Sequence, residues 1–451
     1  MGWLARPYEL PLARYNRRRS GGWHSKEGVR EMARRTSVLA VAMLLLAMTL
    51  AACGAEATAT PRAASSAAAS AAPSAAAASS SAPSSAVAAT GSSAAATPAG
   101  GTKEVKVGVV LTLTGASAIY GTPQRNGVQL AVDEINAAGG IPGVKLVPIF
   151  EDDGGTKDKG ITAFEKVIET DNVLAIIGPT LSNTAVSADP IAQQAGVPVL
   201  AVSNTGNGIV EIGDYIFRDS LAEFQVIPNT VKAAKEKLGL TKVAIIYNID
   251  NAFTKAGYDE FKKALDANGI QITTTQSYGA NDTDYSAQLT AIKQTNPDAI
   301  IVSALAEGAP IAKQARELGI EQRVTIIGGN GLNSPDYIKN SGPAGEGTIV
   351  GAAWNAANNT QENQKFIAAY KAKYNSDPDQ FAAQAYSGVY ILAEAIKKAG
   401  PNADRKAVRD ALAGVKGLST PLGTFSFTPE RNADHPPVVQ VVRNGKFEVL
   451  K

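Results

Sequence analysis

Five short segments hold most of the residues able to grip a small molecule: TLTGASAIYG (112–121), GPTLSN (178–183), SNT (203–205), DNAF (250–253) and GGNG (328–331). Hydroxyls, side-chain amides and glycine dominate them, while acids, bases and nucleophile–base pairs are scarce. Such residues let backbone N–H groups approach an anion, above all where a helix begins, as it does after Ser182. This is binding chemistry rather than bond-breaking chemistry.

The rest of the chain supplies little for catalysis. There is one cysteine and there are two histidines, and His24 falls in the leader, which leaves His435 for the body. No GxSxG elbow, HExxH, P-loop or CxxC is present, and neither 206–208 nor 328–331 completes GxGxxG. Asp152-Asp153 could pair on a metal, but a solvated strand end is the more ordinary role for such a pair. We expect no enzyme, no cofactor and no metal. Residues 1–35 carry 9 Lys/Arg and 3 Asp/Glu, leaving 34 basic against 38 acidic side chains in the remainder. That balance speaks against nucleic acid as a partner.

The N-terminus reads as an address. An apolar run, VLAVAMLLLAMTLAA (38–52), follows Arg34 and Arg35. It is short for a membrane span of about 20 residues and fits the core of a signal peptide. It ends at Leu50-Ala51-Ala52-Cys53, which resembles the bacterial lipoprotein signal, where cleavage precedes a lipid-modified cysteine. Met32 would begin a signal of ordinary length, so 1–31 is expected to lie upstream of the true start. From 53 to 102 the chain is Ala, Ser, Thr, Pro and Gly with almost no charge, the composition of a disordered tether.

From Val105 onward, apolar β-branched runs alternate with amphipathic stretches. Strands are expected at 105–113, 145–152, 173–178, 197–202, 242–248, 298–304 and 324–329. Helices are expected at 124–138, 157–169, 183–195, 222–237, 254–268, 285–294, 308–318, 361–373 and 380–399, with short β segments after them. Continuous apolar strands joined by helices mean parallel sheets covered on both faces. The rhythm runs twice, from about 105 and from about 242, so the expectation is an α/β protein of two doubly wound lobes. Ligands of such folds sit beyond the carboxyl ends of the strands, where the five polar segments lie.

Six words occur in order: TGASAIYGTPQRNGVQLAVDEINAAGGIPG (114–143), IIGPTLSNTAV (176–186), GVPVLAVSNT (196–205), AKQARELGI (312–320), IIGGNGLNSPDYI (326–338) and FAAQAYSGVYILAEAI (381–396). Together they resemble the type I periplasmic binding proteins of branched-chain amino acid ABC transporters, the leucine/isoleucine/valine-binding proteins. The resemblance covers about 104–450. It implies two Rossmann-like lobes joined by three crossovers and closing on a ligand like a hinge. Lobe one would comprise 103–223 and 354–425, and lobe two 224–353 and 426–451.

Motif by motif, the resemblance implies that Ser182, Ser203 and Thr205 hold a ligand carboxylate, with a helix N-cap as the plainer role for Ser182. Tyr120 and Phe253 would be aromatic walls from the two lobes, with ordinary core packing as the plainer role for either. Asn330 stands where amino-acid binders of this family usually carry an acid that pairs with the ligand ammonium. Losing that charge raises the cost of desolvating an amine. Glu307 either supplies the missing charge or sits solvated at a helix N-terminus. Trp354 is expected near a crossover, either packing the hinge or touching ligand. The function implied is that of a lipid-anchored, extracytoplasmic subunit that delivers a small amino acid, or a related carboxylate or amide, to an ABC permease. Two readings stand beside it: a sensor signalling through a partner, and a binder of an amine-free organic acid.

Overall fold

The structure is a computed structural model that describes residues 102–451. The stretches expected to be a signal peptide and a tether, with Met32 and Cys53, lie outside the described residues. The first half builds β1 (Lys103–Leu111), α1 (Ala118–Ala137), β2 (Val144–Asp152), α2 (Lys157–Glu165), β3 (Ala175–Ile177), α3 (Ser182–Gln194), β4 (Val199–Ala201) and β5 (Ile216–Arg218). These five strands form one parallel sheet in the order β2-β1-β3-β4-β5.

The pattern then repeats. α4 (Glu223–Leu238) leads to β6 (Lys242–Asn248), α5 (Ala252–Ala267), β7 (Gln271–Tyr278), α6 (Ser286–Gln294), β8 (Ala299–Ser303), α7 (Gly308–Glu317), β9 (Thr325–Gly328), α8 (Pro335–Ser341) and β10 (Ile349–Ala352). The second sheet runs β7-β6-β8-β9-β10, all parallel, and is extended on its far edge by two antiparallel strands from later in the chain. Both sheets therefore wind in one order, with the strand order reversing beside β1 and beside β6.

Three connections join the two lobes. The first runs from β5 to β6, and the second leaves β10 for α9 (Gln361–Tyr374), α10 (Gln380–Ala399) and α11 (Arg405–Ala413). A small antiparallel sheet follows: β11 (Leu418–Thr420), β12 (Gly423–Phe427) and β13 (Ala433–Asp434). The third connection leads from β13 to β14 (Val438–Arg443) and β15 (Lys446–Val449). The expected tail boundary at 425/426 falls inside β12, whose Phe425 and Phe427 pack in the first lobe's core.

Burial explains which elements were foreseen. Val107 to Leu111 are all buried, with Val109 and Leu111 packed among α1 and α10 and Val110 among α2 and α3. A strand buried on both faces writes itself as a continuous apolar run. β7 sits at a sheet edge, is mostly half-exposed (QITTTQSY), and lacks that run. β5 and β10 are only three and four residues long. The unforeseen helix α11 buries just Val408, Ala411 and Leu412 and otherwise carries charge. α8 is seven residues, capped by Ser334 with Pro335 at its first position.

The helix expected at 124–138 begins earlier, at Ala118, with Pro123 inside it. That at 157–169 ends as α2 at Glu165 and continues through one π-helical turn to Thr170.

α1 and α10 are the central helix pair of the first lobe, and fifteen of the twenty α10 residues are buried. Their close approach depends on Gly127. A Cβ built there would stand 2.3 Å from the Ala382 carbonyl oxygen, so any side chain must push the helices apart. Overpacking of this kind costs about 1–3 kcal/mol. Gly127→Val should lower the urea midpoint accordingly with the slope unchanged; an unaltered midpoint would show that the helices separate freely.

Candidate ligand-binding site

The carboxyl ends of both parallel sheets meet around one cavity with about 360 Å³ of atom-free space. Only about 20 Å³ of it is open to a molecule the size of water, so the walls are drawn close together. The first lobe lines it with Tyr120, Thr180, Leu181, Ser182, Ser203, Asn204, Thr205 and Phe381, the second with Asn251, Phe253, Leu305, Asn330 and Gly331. All six residues singled out from sequence line this one cavity. No charged side chain does.

The aromatic walls come from opposite sides. Tyr120 packs against Phe381 at 4.9 Å between ring centroids, and its hydroxyl donates to the Gly331 carbonyl at 2.9 Å. Burial raises the Tyr120 phenol well above its ordinary pKa, so it keeps that proton. Phe253 follows Asn251, whose side chain caps α5 by accepting from the Phe253 N–H. Gly331 sits where a Cβ would lie 2.1 Å from the Ala304 carbonyl oxygen, so the loop tolerates no side chain there.

The hydroxyls differ in where their protons go. Ser203 donates to the Thr180 carbonyl at 2.6 Å, and Thr205 donates to Glu223 Oε1 at 2.7 Å. Ser182 accepts from the Gly206 N–H at 3.1 Å and keeps its own proton for another partner. The N-cap of α3 is Leu181, which offers no capping side chain, so Ser182 is the first helical residue rather than the cap. The Ser182 hydroxyl therefore lies on the cavity wall at the start of a helix, where first-turn N–H groups have no partner within the helix.

Asn330 is held at both ends of its amide. Its Oδ1 accepts from Gln380 at 2.9 Å, and its Nδ2 donates to the Leu221 carbonyl at 3.4 Å. Gln380 in turn accepts from Asn333 Nδ2 and from the Ala353 N–H. Behind Thr205 and Asn330 stands Glu223, fully buried at the start of α4, with Oε2 lacking a hydrogen-bond partner. Desolvation pushes its carboxyl up to about 7, against the opposing effects of Thr205, Arg218 and Asn330.

Further contacts clasp the lobes together. Asn183 Oδ1 accepts from the Ala252 N–H at 2.7 Å, and Asn207 Nδ2 donates to Glu260 at 3.0 Å. At the first crossover, buried Arg218 donates to Gly206 O and, through Nε and Nη2, to Asn432 Oδ1.

The other singled-out residues take structural places. Glu307 accepts from the Leu305 N–H at 3.1 Å at the start of α7, outside the cavity lining. Trp354 is buried beside the second crossover, donates to Asn363 Oδ1 at 2.7 Å and packs edge-on to Phe366. Asp152 and Asp153 are braces rather than a solvated strand end. Asp152 accepts from Leu113 N–H and Thr114 hydroxyl, and Asp153 from Thr112 hydroxyl and Gly155 N–H. The described residues contain no cluster of His, Cys, Asp or Glu able to hold a metal ion. His435 is buried next to the third crossover, away from the cavity, and burial lowers its pKa.

Sequence reasoning missed Phe381, Gln380 and Glu223. Phe381 opens one of the six quoted words, but a phenylalanine starting an apolar helix carries no mark of a ligand wall. Glu223 was not singled out, because an acid in the first turn of a helix is commonplace at the surface.

Two α/β lobes clasped around an uncharged cavity of hydroxyls, amides and apolar walls define a solute-binding protein. Residues 104–446 match the family model described as periplasmic binding protein. The Leu/Ile/Val-binding protein BraC3 of Rhizobium johnstonii is 31% identical over 72% of this chain and 87% of its own length. Among solved structures, the branched-chain amino acid transporter substrate binding protein LivJ from Streptococcus pneumoniae, in complex with isoleucine, is similar at a TM-score of 0.72. It is 29% identical and covers 77% of this chain and 98% of its own. A solute binding protein of an ABC transporter from Rhodopseudomonas palustris BisB5, in complex with 3,4-dihydroxy benzoic acid, reaches 0.70 with 27% identity, covering 77% and 96%. The chain belongs to the type I periplasmic binding proteins, in the leucine/isoleucine/valine-binding group. Proteins of this family bind substrates and do not transform them.

The buried Glu223 makes stability depend on pH. Its carboxyl, raised from 4.5 to about 7, holds a proton in the folded protein that the unfolded chain has released. Over that interval the folded state binds more protons, so stability falls as pH rises. Asp379, raised from 3.8 to about 7 by burial, acts in the same direction. Urea unfolding at about pH 5 and pH 7 should show a smaller loss of stability in Glu223→Gln than in the parent; an equal loss would mean that Glu223 titrates normally.

Proposed function

We propose that this protein is the extracytoplasmic solute-binding subunit of an ABC importer of the branched-chain amino acid type. It closes two lobes on a small amino acid or a related carboxylate or amide. The observation that carries this reading is the cavity at the carboxyl ends of both sheets, lined from both lobes, with the Ser182 hydroxyl on its wall as an anion donor. A ligand touching both walls favours the closed form, and a permease can read that form. We read the lobes as 103–223 with 354–437, and 224–353 with 438–451, moving the tail boundary because β12 and β13 belong to the first lobe's side.

A carboxylate bound at Ser182 is consistent with both similar ligand complexes, since isoleucine and 3,4-dihydroxybenzoic acid share that group. The lipid anchor at Cys53 follows from the lipoprotein-like signal, and no helix among the described residues is long and apolar enough to cross a membrane.

A thermal-shift screen of the purified protein with amino acids, their des-amino acids, amides and aromatic acids tests the reading. A ligand at 100 times its Kd should add about 2.7 kcal/mol to apparent stability. Ser182→Ala should weaken that ligand at least about tenfold, in line with about 1.5–3 kcal/mol for a hydrogen bond to a charged group. An unchanged Kd would remove Ser182 from the carboxylate site. Uptake should be lost on deletion of the protein; loss of a transcriptional response alone would favour the sensor reading.

Cys53→Ser should release the protein from the membrane fraction of cells that make it. Retention in that fraction would overturn the lipid anchor.

A further inference from the structure

Glu223 is a buried acid that no ion pair explains. It is wholly shielded from solvent, Oε1 accepts from Thr205, and Oε2 has no partner. The nearest cation, Arg218, spends its donors on Gly206 O and on Asn432 Oδ1, and none reaches Glu223. Oε2 leans on the loop that carries Asn330: a Cβ on Gly329 would lie 2.8 Å from it. The carboxylate thus stands directly behind two cavity residues, Thr205 and Asn330, on a wall otherwise free of charge.

Its hydrogen bond decides what the cavity offers. A carboxylate accepts, so the Thr205 proton points away from the cavity and leaves the hydroxyl's lone pairs available to a ligand donor. A negative charge in a desolvated site also acts on a ligand cation across the intervening hydroxyl, because little water screens it. We propose that Glu223 is the positioning residue that selects for a ligand bearing a protonated amine, acting through the Thr205 hydroxyl it turns around. This rests on the reading of the cavity as the solute site. It replaces the acid absent at Asn330 by one on another element, reached from behind. Ser182 and the α3 N-terminus would take the carboxylate, and the Thr205–Glu223 pair the ammonium, so the ligand class is a zwitterionic amino acid.

An ammonium seated there favours the ionised form of Glu223. The other groups facing Glu223 are Arg218 from β5 and Glu260 from α5, whose charge is met by Lys263 at 2.7 Å. Amino-acid affinity should therefore rise between about pH 6 and pH 8, an interval in which a free amino acid keeps its own charge state.

The test measures Kd by calorimetry for the full chain with L-leucine, L-isoleucine, L-valine and L-alanine, each beside its des-amino acid, and with benzoate. Glu223→Gln should lose at least tenfold in affinity for the amino acid at pH 8 while its des-amino acid changes by less than threefold, and the pH dependence should flatten. Thr205→Val should show the same amine-specific loss and Thr205→Ser should retain affinity, which a merely structural role for Glu223 would not reproduce. Equal losses for both ligands, or none, overturn the inference. Binding of amine-free acids alone overturns it while leaving the solute-binding reading intact. No binding by any member of the panel overturns both.

Discussion

A parallel strand cannot be followed directly by its neighbour; the chain must first return along the face of the sheet, and it does so as a helix. Every strand of a sheet then delivers its next loop to the same rim. This constraint applies twice here, in β1–β5 and in β6–β10, and the three crossovers set the two rims against each other. All loop residues of the cavity follow from it. Thr180–Ser182 leave β3, Ser203–Thr205 leave β4, Asn251 leaves β6, Leu305 leaves β8, and Asn330 leaves β9.

Because backbone ends converge there, the cavity can be polar without being charged. Helix N-termini supply unpaired N–H groups, and hydroxyls and amides fill the gaps between loops. The hydrogen bonds around the cavity do a second job at the same time. Tyr120 to Gly331, Gln380 to Asn330 and Asn183 to Ala252 each cross from one lobe to the other. Tyr120, Asn330 and Gly331 thus line the cavity and also hold the lobes together, so the cavity's shape and the closure of the lobes share contacts. That coupling is what a hinge-closing binding protein requires, since only contacts made better in the closed form shift the equilibrium.

Charge has been moved one layer back. Arg218 and Glu223 are both buried near the first crossover, where the low dielectric makes their fields reach further. Arg218 is bound to Gly206 and Asn432, so it organises the crossing strands rather than the cavity. Glu223 instead orients a cavity hydroxyl. A wall built of neutral groups with a carboxylate behind it differs in kind from one with an acid on its surface.

The sequence by itself determined the winding and the segments that face the cavity. Strands buried on both faces must be continuously apolar, and VKVGVVL or VAIIY can be read that way without coordinates. The polar loops after them, with Ser182, Ser203, Thr205, Tyr120, Phe253 and Asn330, were legible because loop position and side-chain chemistry are local properties. Only the tertiary structure decided where hydroxyl protons point, that Leu181 rather than Ser182 caps α3, that Asn330 is tied to Gln380 fifty residues away, and that Glu223 lies behind the site. It also decided the edge strand β7 and the helix α11, whose one-sided burial leaves too weak an apolar pattern to read. The physical reason is common to all of these. A hydrogen bond or a buried charge is a property of a pair, and the partners here come from segments that the chain brings together only by folding.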